Sequence, residues 1–343
     1  MTQSRTELKR TKKKSPFKRF LKITMLTFLG LFLLAGGAVA YLYYSMANVT
    51  SSAQHELDRG DRSELREEAV NPTSDPISIL FLGLDSRDGD LSGRTDAMVL
   101  ATFNPDEKSI KMLNIPRDSL VDIAGRGTRD KINHAHAFGG LDMTVSTVEN
   151  LLNIPVDYFV SLNFDAFMQI IDELGGIEVD VQSGFTEKDN ATYGTIVLEE
   201  GVQTLNGEEA LAYVRMRKSD PRGDLGRGDR QKEVIEAIIR KSANFSSITK
   251  FGPIMDSLEN NLHTNISFNS ILGMHTYAGE LDNIDHISFD GENHTENGVY
   301  YYRLYDESVA EISQRFRWHL EIDPKPAETE TEAGSEEETN TDM

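Results

Sequence analysis

The chain has 343 residues, 38% hydrophobic and 27% charged, which suffices for one sizeable domain with an anchor and tails but not for two large catalytic domains. Its net charge of −21 is uneven: the first 22 residues hold nine Lys or Arg and one acid, so the rest is polyanionic and a poor general partner for nucleic acid. Without cysteine there are no disulfides, thiolate nucleophiles or thiolate metal sites, and any metal must sit on oxygen or histidine.

Residues 1–22 read as a basic cytoplasmic tail. Residues 23–44, Ile23 to Tyr44, carry no charge. At ~1.5 Å per residue, a helix of that length crosses a hydrocarbon layer of ~30 Å. The run exceeds the ~7–15 apolar residues of a cleaved signal peptide and ends in the interfacial residues Tyr41, Tyr43 and Tyr44. With the positive flank ahead of it, this predicts a single-pass type II anchor in the cell membrane, with the remainder extracytoplasmic.

A stalk or linker is expected over residues 45–76, ending in the turn-forming run from Asn71 to Pro76, and a folded body over 77–322. Residues 323–343 are expected to form an acidic, disordered tail, because Glu328 to Met343 contain seven acids and no aromatic residue.

Within the body, strand-like runs alternate with longer helical patterns, the signature of an α/β fold with a central mixed β-sheet flanked by helices. Strands are predicted over 77–82, 97–103 and 109–115, the last two joined as a hairpin through the turn at 104–107. Helices are predicted over 141–152, 164–174, 207–216, 229–243, 246–262, 267–280 and 306–318. No internal repeat is visible.

Charged residues gather where strands meet loops: Asp85 and Arg87 after the first strand, Arg94 and Asp96 before the second, Arg117 and Asp118 after the third. Two carboxylates facing each other across one loop, as Asp85 and Asp96 do if their strands are neighbours, suit an oxygen-loving cation such as Mg²⁺. Turn and cap hydrogen bonding is the competing reading of such Asp residues. Further on, Arg215, Arg217, Arg222, Arg227 and Arg230, with Lys218, crowd a segment punctuated by Pro221, Gly223, Gly226 and Gly228. Planar guanidinium forks suit the oxygens of a pyrophosphate, whereas a surface patch of ion pairs is the plainer alternative. Arg227 and Gln231 are four apart and share a helical face. His134, His136 and His286 form no convincing metal spacing.

The motifs Gly83-Leu84-Asp85-Ser86-Arg87, Gly93-Arg94-Thr95-Asp96, Asn114-Ile115-Pro116-Arg117-Asp118 and Lys131-Ile132-Asn133 resemble, in order and spacing, those of LytR-CpsA-Psr proteins. So do Asn150 to Tyr158, Leu205 to Tyr213 and the arginine-rich run. The resemblance covers roughly residues 77–235, and beyond 240 no motif supports it. It implies a membrane protein of a Gram-positive type bacterium whose extracellular α/β/α domain holds a polyprenyl phosphate tail in an apolar pocket. It further implies transfer of a glycopolymer phosphate (wall teichoic acid, capsule or a related polymer) from a polyprenyl pyrophosphate lipid to peptidoglycan, with Mg²⁺ as cofactor. On that resemblance Asp85 and Asp96 are the metal-side carboxylates. Arg117, Arg215, Arg217, Arg227 and Gln231 contact the pyrophosphate, and Arg87, Arg94, Lys131, Arg222 and Asp224 fall in the same motifs. Asp224 is also a candidate base, although a carboxylate among arginines is a weak one. Hydrolysis of the lipid pyrophosphate, or a non-catalytic lipid-binding role in wall regulation, are the rival functions.

Overall fold

The computed structural model describes residues 54–86, 91–188, 194–217, 220–242, 258, 260–267, 270, 274 and 283–325. Strands β1 (Ile77–Leu84), β2 (Thr95–Asn104) and β3 (Ser109–Asn114) form an antiparallel meander that includes the expected hairpin. A small hairpin of β4 (Leu120–Ile123) and β5 (Thr128–Lys131) leads into α1 (His134–Leu152). This helix breaks at Gly139 and Gly140, so the expected start at Leu141 marks only its second half.

β6 (Tyr158–Asn163) joins β1 in parallel, and α2 (Phe164–Glu173) follows, capped by the Asn163 side chain. Strands β7 (Ile177–Val181), β8 (Phe185–Lys188), β9 (Thr195–Leu198) and β10 (Gly201–Leu205) make two nested hairpins beside the main sheet. Next come α3 (Gly207–Arg215), opened by an Asn206–Glu209 capping box, and α4 (Asp224–Ser242). β11 (Leu262–Thr264), β12 (Ile284–Ser288), the hairpin β13 (Gly291–Glu296) to β14 (Val299–Leu304), and α5 (Asp306–His319) complete the described chain.

The main sheet is mixed, six strands in the order β11-β6-β1-β2-β3-β12. Alternation along its strands separates two apolar faces. Leu80, Leu82, Met98, Leu100 and Phe159 meet α1 and α5 through Val145, Val148, Ile312 and Phe316. Ile79, Val99, Ala101, Ile110 and Met112 face the other way, towards Ile235 and Ile239 of α4. The result is an α/β/α sandwich in which each buried Leu, Ile or Phe contributes ~1.5–3 kcal/mol.

Two expectations need correction. α4 begins at Asp224, five residues before the expected start at Asp229, and its first five residues therefore include Gly226 and Gly228. Leu262, expected to end a helix, instead begins β11, because the free edge of β6 takes it as an antiparallel partner. The rest of the helices expected over 246–262 and 267–280 lies largely outside the described residues.

Residues 54–76, within the expected stalk, lie against the domain. Leu57 is buried in the α1-side core, Arg59 Nη1 is 2.5 Å from Glu149 Oε2, and Arg66 grips Asp157 with two bonds of 3.0 and 2.8 Å. The basic tail and the span expected over 23–44 lie outside the described residues. Among the described residues no helix is long and apolar enough to cross a membrane. Of the acidic tail only 323–325 are described, and Asp323 is tied to Arg317 at 2.6 Å.

Candidate functional site

Strands β1, β3, β6 and β12 run in one direction, so their carboxyl ends share one edge of the sheet. The loop after β1, the Pro116–Ser119 turn, the start of α2 and the β13–β14 hairpin all emerge there. That edge is where open α/β sheets hold ligands.

Two cavities meet at this edge. An apolar one of about 350 Å³ lies between the sheet and helices α2, α3 and α4, walled by residues such as Phe81, Val99, Val160, Phe167, Val234 and Ile238. Its charged or amide-bearing lining is confined to Asp96, Arg215, Arg227 and Gln231. The second, of about 600 Å³, is polar: Arg117, Asp118, Arg217, Arg222 and Asp224 line it, with Glu292, Asn293, Tyr300 and Tyr302 from the β13–β14 hairpin. Arg227 and Gln231 belong to both. They stand where an apolar chamber gives way to a cationic cleft.

A bulge aims Asp96 into this mouth. Leu84 pairs with Thr95 and Gly83 with Ala97, which leaves Asp96 as the extra residue of β2. Its Oδ1 accepts from Arg117 Nη1 at 2.5 Å, while Arg117 Nε lies 3.6 Å from Asp118 Oδ2. Lys131 Nζ donates to Asp118 Oδ1 at 2.7 Å. Burial, the largest single influence, opposes the Arg117 charge, but Asp96, Asp118 and Asp224 together outweigh it, and the guanidinium is held above its usual range. Asp224 Oδ1 lies 3.2 Å from Arg217 Nε and 3.4 Å from Arg227 Nη2. Arg227 is pushed down by burial, Asp224 opposing and Arg117 adding to the shift. Each of these guanidinium groups is oriented by a carboxylate, and a planar fork so placed can turn its remaining N–H donors to phosphate oxygens.

The arginine segment is shaped by a residue that carries no expected binding role. Arg230 Nε donates to Tyr213 O at 3.0 Å, Nη1 to Asp220 Oδ2 at 2.5 Å, and Nη2 to Met216 O. It ties the exit of α3 to the start of α4. The glycines of α4 permit the fit. A Cβ on Gly226 would stand 1.8 Å from Asp220 Oδ2, and one on Gly228 2.2 Å from Asn114 Nδ2.

Of the residues singled out from sequence, Asp96, Arg117, Arg215, Arg217, Arg222, Asp224, Arg227 and Gln231 are thus brought together. Arg215 also lies over the Phe164 ring, 4.9 Å from its centroid. Arg222 is exposed and bound to Asp229 at 2.7 Å. Lys131 does not line the cleft but borders it through Asp118 and the Tyr300 ring. Arg94 is exposed and lines neither cavity, Asp85 is exposed just beyond β1, and Arg87 lies outside the described residues. Among the described residues no three His, Asp or Glu side chains form a metal-holding group. His134 pairs with Asp130 at 2.9 Å, His136 Nδ1 is 3.1 Å from Gly93 O, and His286 is 3.3 Å from Glu236. Sequence reasoning quoted Asn114 within a motif without giving it a role, and it missed Glu292, Asn293, Tyr300 and Tyr302. The last four come from a hairpin with no telling motif.

Fold and site define an α/β/α protein with an apolar chamber closed by an arginine-rich polar mouth. The chain belongs to the LytR-CpsA-Psr family, whose model, LytR_cpsA_psr, matches residues 40–317. It is 45% identical over 285 residues to the polyisoprenyl-teichoic acid–peptidoglycan teichoic acid transferase TagU of Halalkalibacterium halodurans, a match spanning 82% of this chain and 92% of that one. A solved structure of TagT bound to LIIa-WTA superposes with a TM-score of 0.68 at 42% identity, covering 78% of this chain and 99% of the other. The LytR-CPS2A-psr family protein YwtF (TagT) with bound octaprenyl pyrophosphate lipid gives a TM-score of 0.63 at 38% identity, with coverage of 78% and 99%.

Proposed function

We propose that this protein is a phosphotransferase that moves a glycopolymer phosphate, of the wall teichoic acid type, from a polyprenyl pyrophosphate lipid to peptidoglycan. The observation that carries the reading is the junction at Arg227 and Gln231, where the apolar chamber opens into the cationic cleft. An isoprenoid chain gains ~25 cal/mol per Å² of surface it buries, and its pyrophosphate then lies at the guanidinium groups. Relatives named as teichoic acid transferases and a family structure holding octaprenyl pyrophosphate support the same substrate class.

The chemistry asks little covalent work of the protein. A sugar hydroxyl attacks phosphorus in line with the departing lipid phosphate, whose bond to that phosphorus breaks and which takes up the hydroxyl proton, while negative charge spreads over the phosphoryl oxygens. Arg117, Arg217 and Arg227 are assigned to that charge, Arg215 to the mouth of the lipid chamber, and Gln231 to a neutral hydrogen bond beside Arg227. Asp224, whose Oδ1 lies 3.2 Å from Arg217 Nε and 3.4 Å from Arg227 Nη2, is assigned to orienting these two arginines.

The donor set also fits Mg²⁺, held jointly by protein and substrate. Such a cation needs only one or two carboxylates plus phosphate oxygens and water. Asp96 stands at the mouth with one oxygen engaged by Arg117, and Asp85 follows the neighbouring strand at the same sheet edge. When bound, the ion supplies charge neutralisation to the pyrophosphate. The proposed topology is an anchor over 23–44 with the catalytic domain outside the cytoplasm.

The test is product analysis. The purified protein, lipid-linked polymer, peptidoglycan and Mg²⁺ are incubated together, and phosphodiester-linked polymer is sought on the glycan. Free polymer phosphate alone would mark a hydrolase instead.

A further inference from the structure

We infer that the β13–β14 hairpin is the acceptor-sugar wall of the active site, with the ring of Tyr300 as the platform on which a pyranose of the wall glycan stacks. The inference rests on the transferase reading and extends it to the side of the reaction that no motif in the sequence marks.

The hairpin follows β12 at the same carboxyl edge from which Arg117 arises, and its backbone is fixed to the Arg117 turn. Tyr302 N donates to Asp118 O at 2.9 Å, and Ser119 bridges to Tyr302. Gly291 is needed for this packing, because a Cβ there would lie 2.4 Å from Arg303 O and 2.9 Å from the Tyr302 ring. The wall facing the arginines is thereby held rigidly against them.

Tyr300 keeps 39% of its surface exposed although it lines the cleft, so an open aromatic ring is on offer. Its hydroxyl donates to Asn293 Oδ1 at 2.8 Å, which fixes the ring's orientation. Lys131 Nζ sits 5.8 Å from its centroid. Glu292 and Asn293 add acceptors and an amide within the same cleft. An apolar ring flanked by hydrogen-bonding side chains matches a sugar, whose axial C–H face is apolar and whose rim is hydroxyl and acetamido.

Geometry favours the acceptor over the donor sugar. The leaving lipid phosphate points into the apolar chamber, and in-line displacement brings the attacking hydroxyl from the opposite side. Across Arg227 from the chamber lies the cleft that the hairpin walls.

The experiment measures KM for un-crosslinked wall glycan strands and, separately, affinity for the lipid-linked polymer donor, in wild type, Tyr300→Ala and Tyr300→Trp, each checked for folding. The expected result for Tyr300→Ala is an acceptor KM raised about tenfold, with donor affinity unchanged and recovery in Tyr300→Trp. An unchanged acceptor KM in Tyr300→Ala overturns the inference, and so does a loss confined to donor affinity. A wild-type protein that binds the donor but never modifies the glycan would instead refute the transferase reading itself.

Discussion

Arg117 Nη1 lies 2.5 Å from Asp96 Oδ1, an ion pair that locks the turn after β3 onto the bulge of β2. Both groups are partly exposed, at 24% and 30% of their side-chain surface, so the pair is a weak source of stability and a strong source of position. Substrate phosphate would meet an arginine already aimed and a carboxylate with one oxygen to spare.

Asp96→Asn and Asp85→Asn are expected to shift the Mg²⁺ dependence of transfer to higher concentration, Asp96→Asn the more, because it also releases Arg117. Metal titration of both variants with lipid-linked donor checks this. Superimposable titration curves for wild type and both variants would remove magnesium from these two residues.

Val214→Trp is expected to obstruct the apolar chamber, whose wall includes Val214. Affinity for a polyprenyl pyrophosphate should fall about tenfold or more while the fold persists, since the added ring occupies space meant for lipid rather than packed core. Lipid binding followed alongside thermal unfolding measures both.

Gly226→Ala is expected to destabilise the protein by about 1–3 kcal/mol and to abolish transfer. The new methyl collides with the Asp220 carboxylate, which is held by Arg230, so the loop bearing Arg217 and Arg222 loses its clasp. Denaturant unfolding and a transfer assay on the same preparation check the two halves of this expectation.

The first strands, the hairpin and the helices around 164–174, 207–216 and 306–318 were legible because hydrophobic period and caps agree there, as with Asn206 and Glu209. The start of α4 was not. Gly226 and Gly228 read as loop residues, yet they lie in the helix, and they are glycine because Asp220 and Asn114 leave no room for a Cβ. Nor was the bulge that singles out Asp96, since a one-residue register shift leaves no mark on a single strand. The arginine cluster was legible by composition, but the separate duty of Arg230 depends on carbonyls of Tyr213 and Met216 that no sequence pattern reveals.

His319 gives a pH signature for the C-terminal helix. Its Nδ1 is 2.7 Å from Thr102 Oγ1 and its Nε2 2.9 Å from Ser109 Oγ, and burial pushes its pKa from 6.5 to about 3. The neutral ring is the folded form, so the unfolded chain takes up a proton first as pH falls. Stability from this site is whole above about pH 6.5 and declines as pH drops towards 3. At about pH 4 the loss is on the order of 3 kcal/mol relative to neutral pH. His319→Gln should flatten that part of the stability profile relative to wild type, which unfolding at several pH values measures.

The central claim is that an arginine at the junction of chamber and cleft handles the pyrophosphate while apolar walls hold the lipid. The most direct measurement is the transfer rate of Arg227→Lys, with folding and polyprenyl pyrophosphate binding followed in parallel. Lysine keeps the charge but loses the planar fork. The expected result is a folded, lipid-binding protein whose transfer rate is lower by ~10²–10³. Near-wild-type transfer by Arg227→Lys would contradict it.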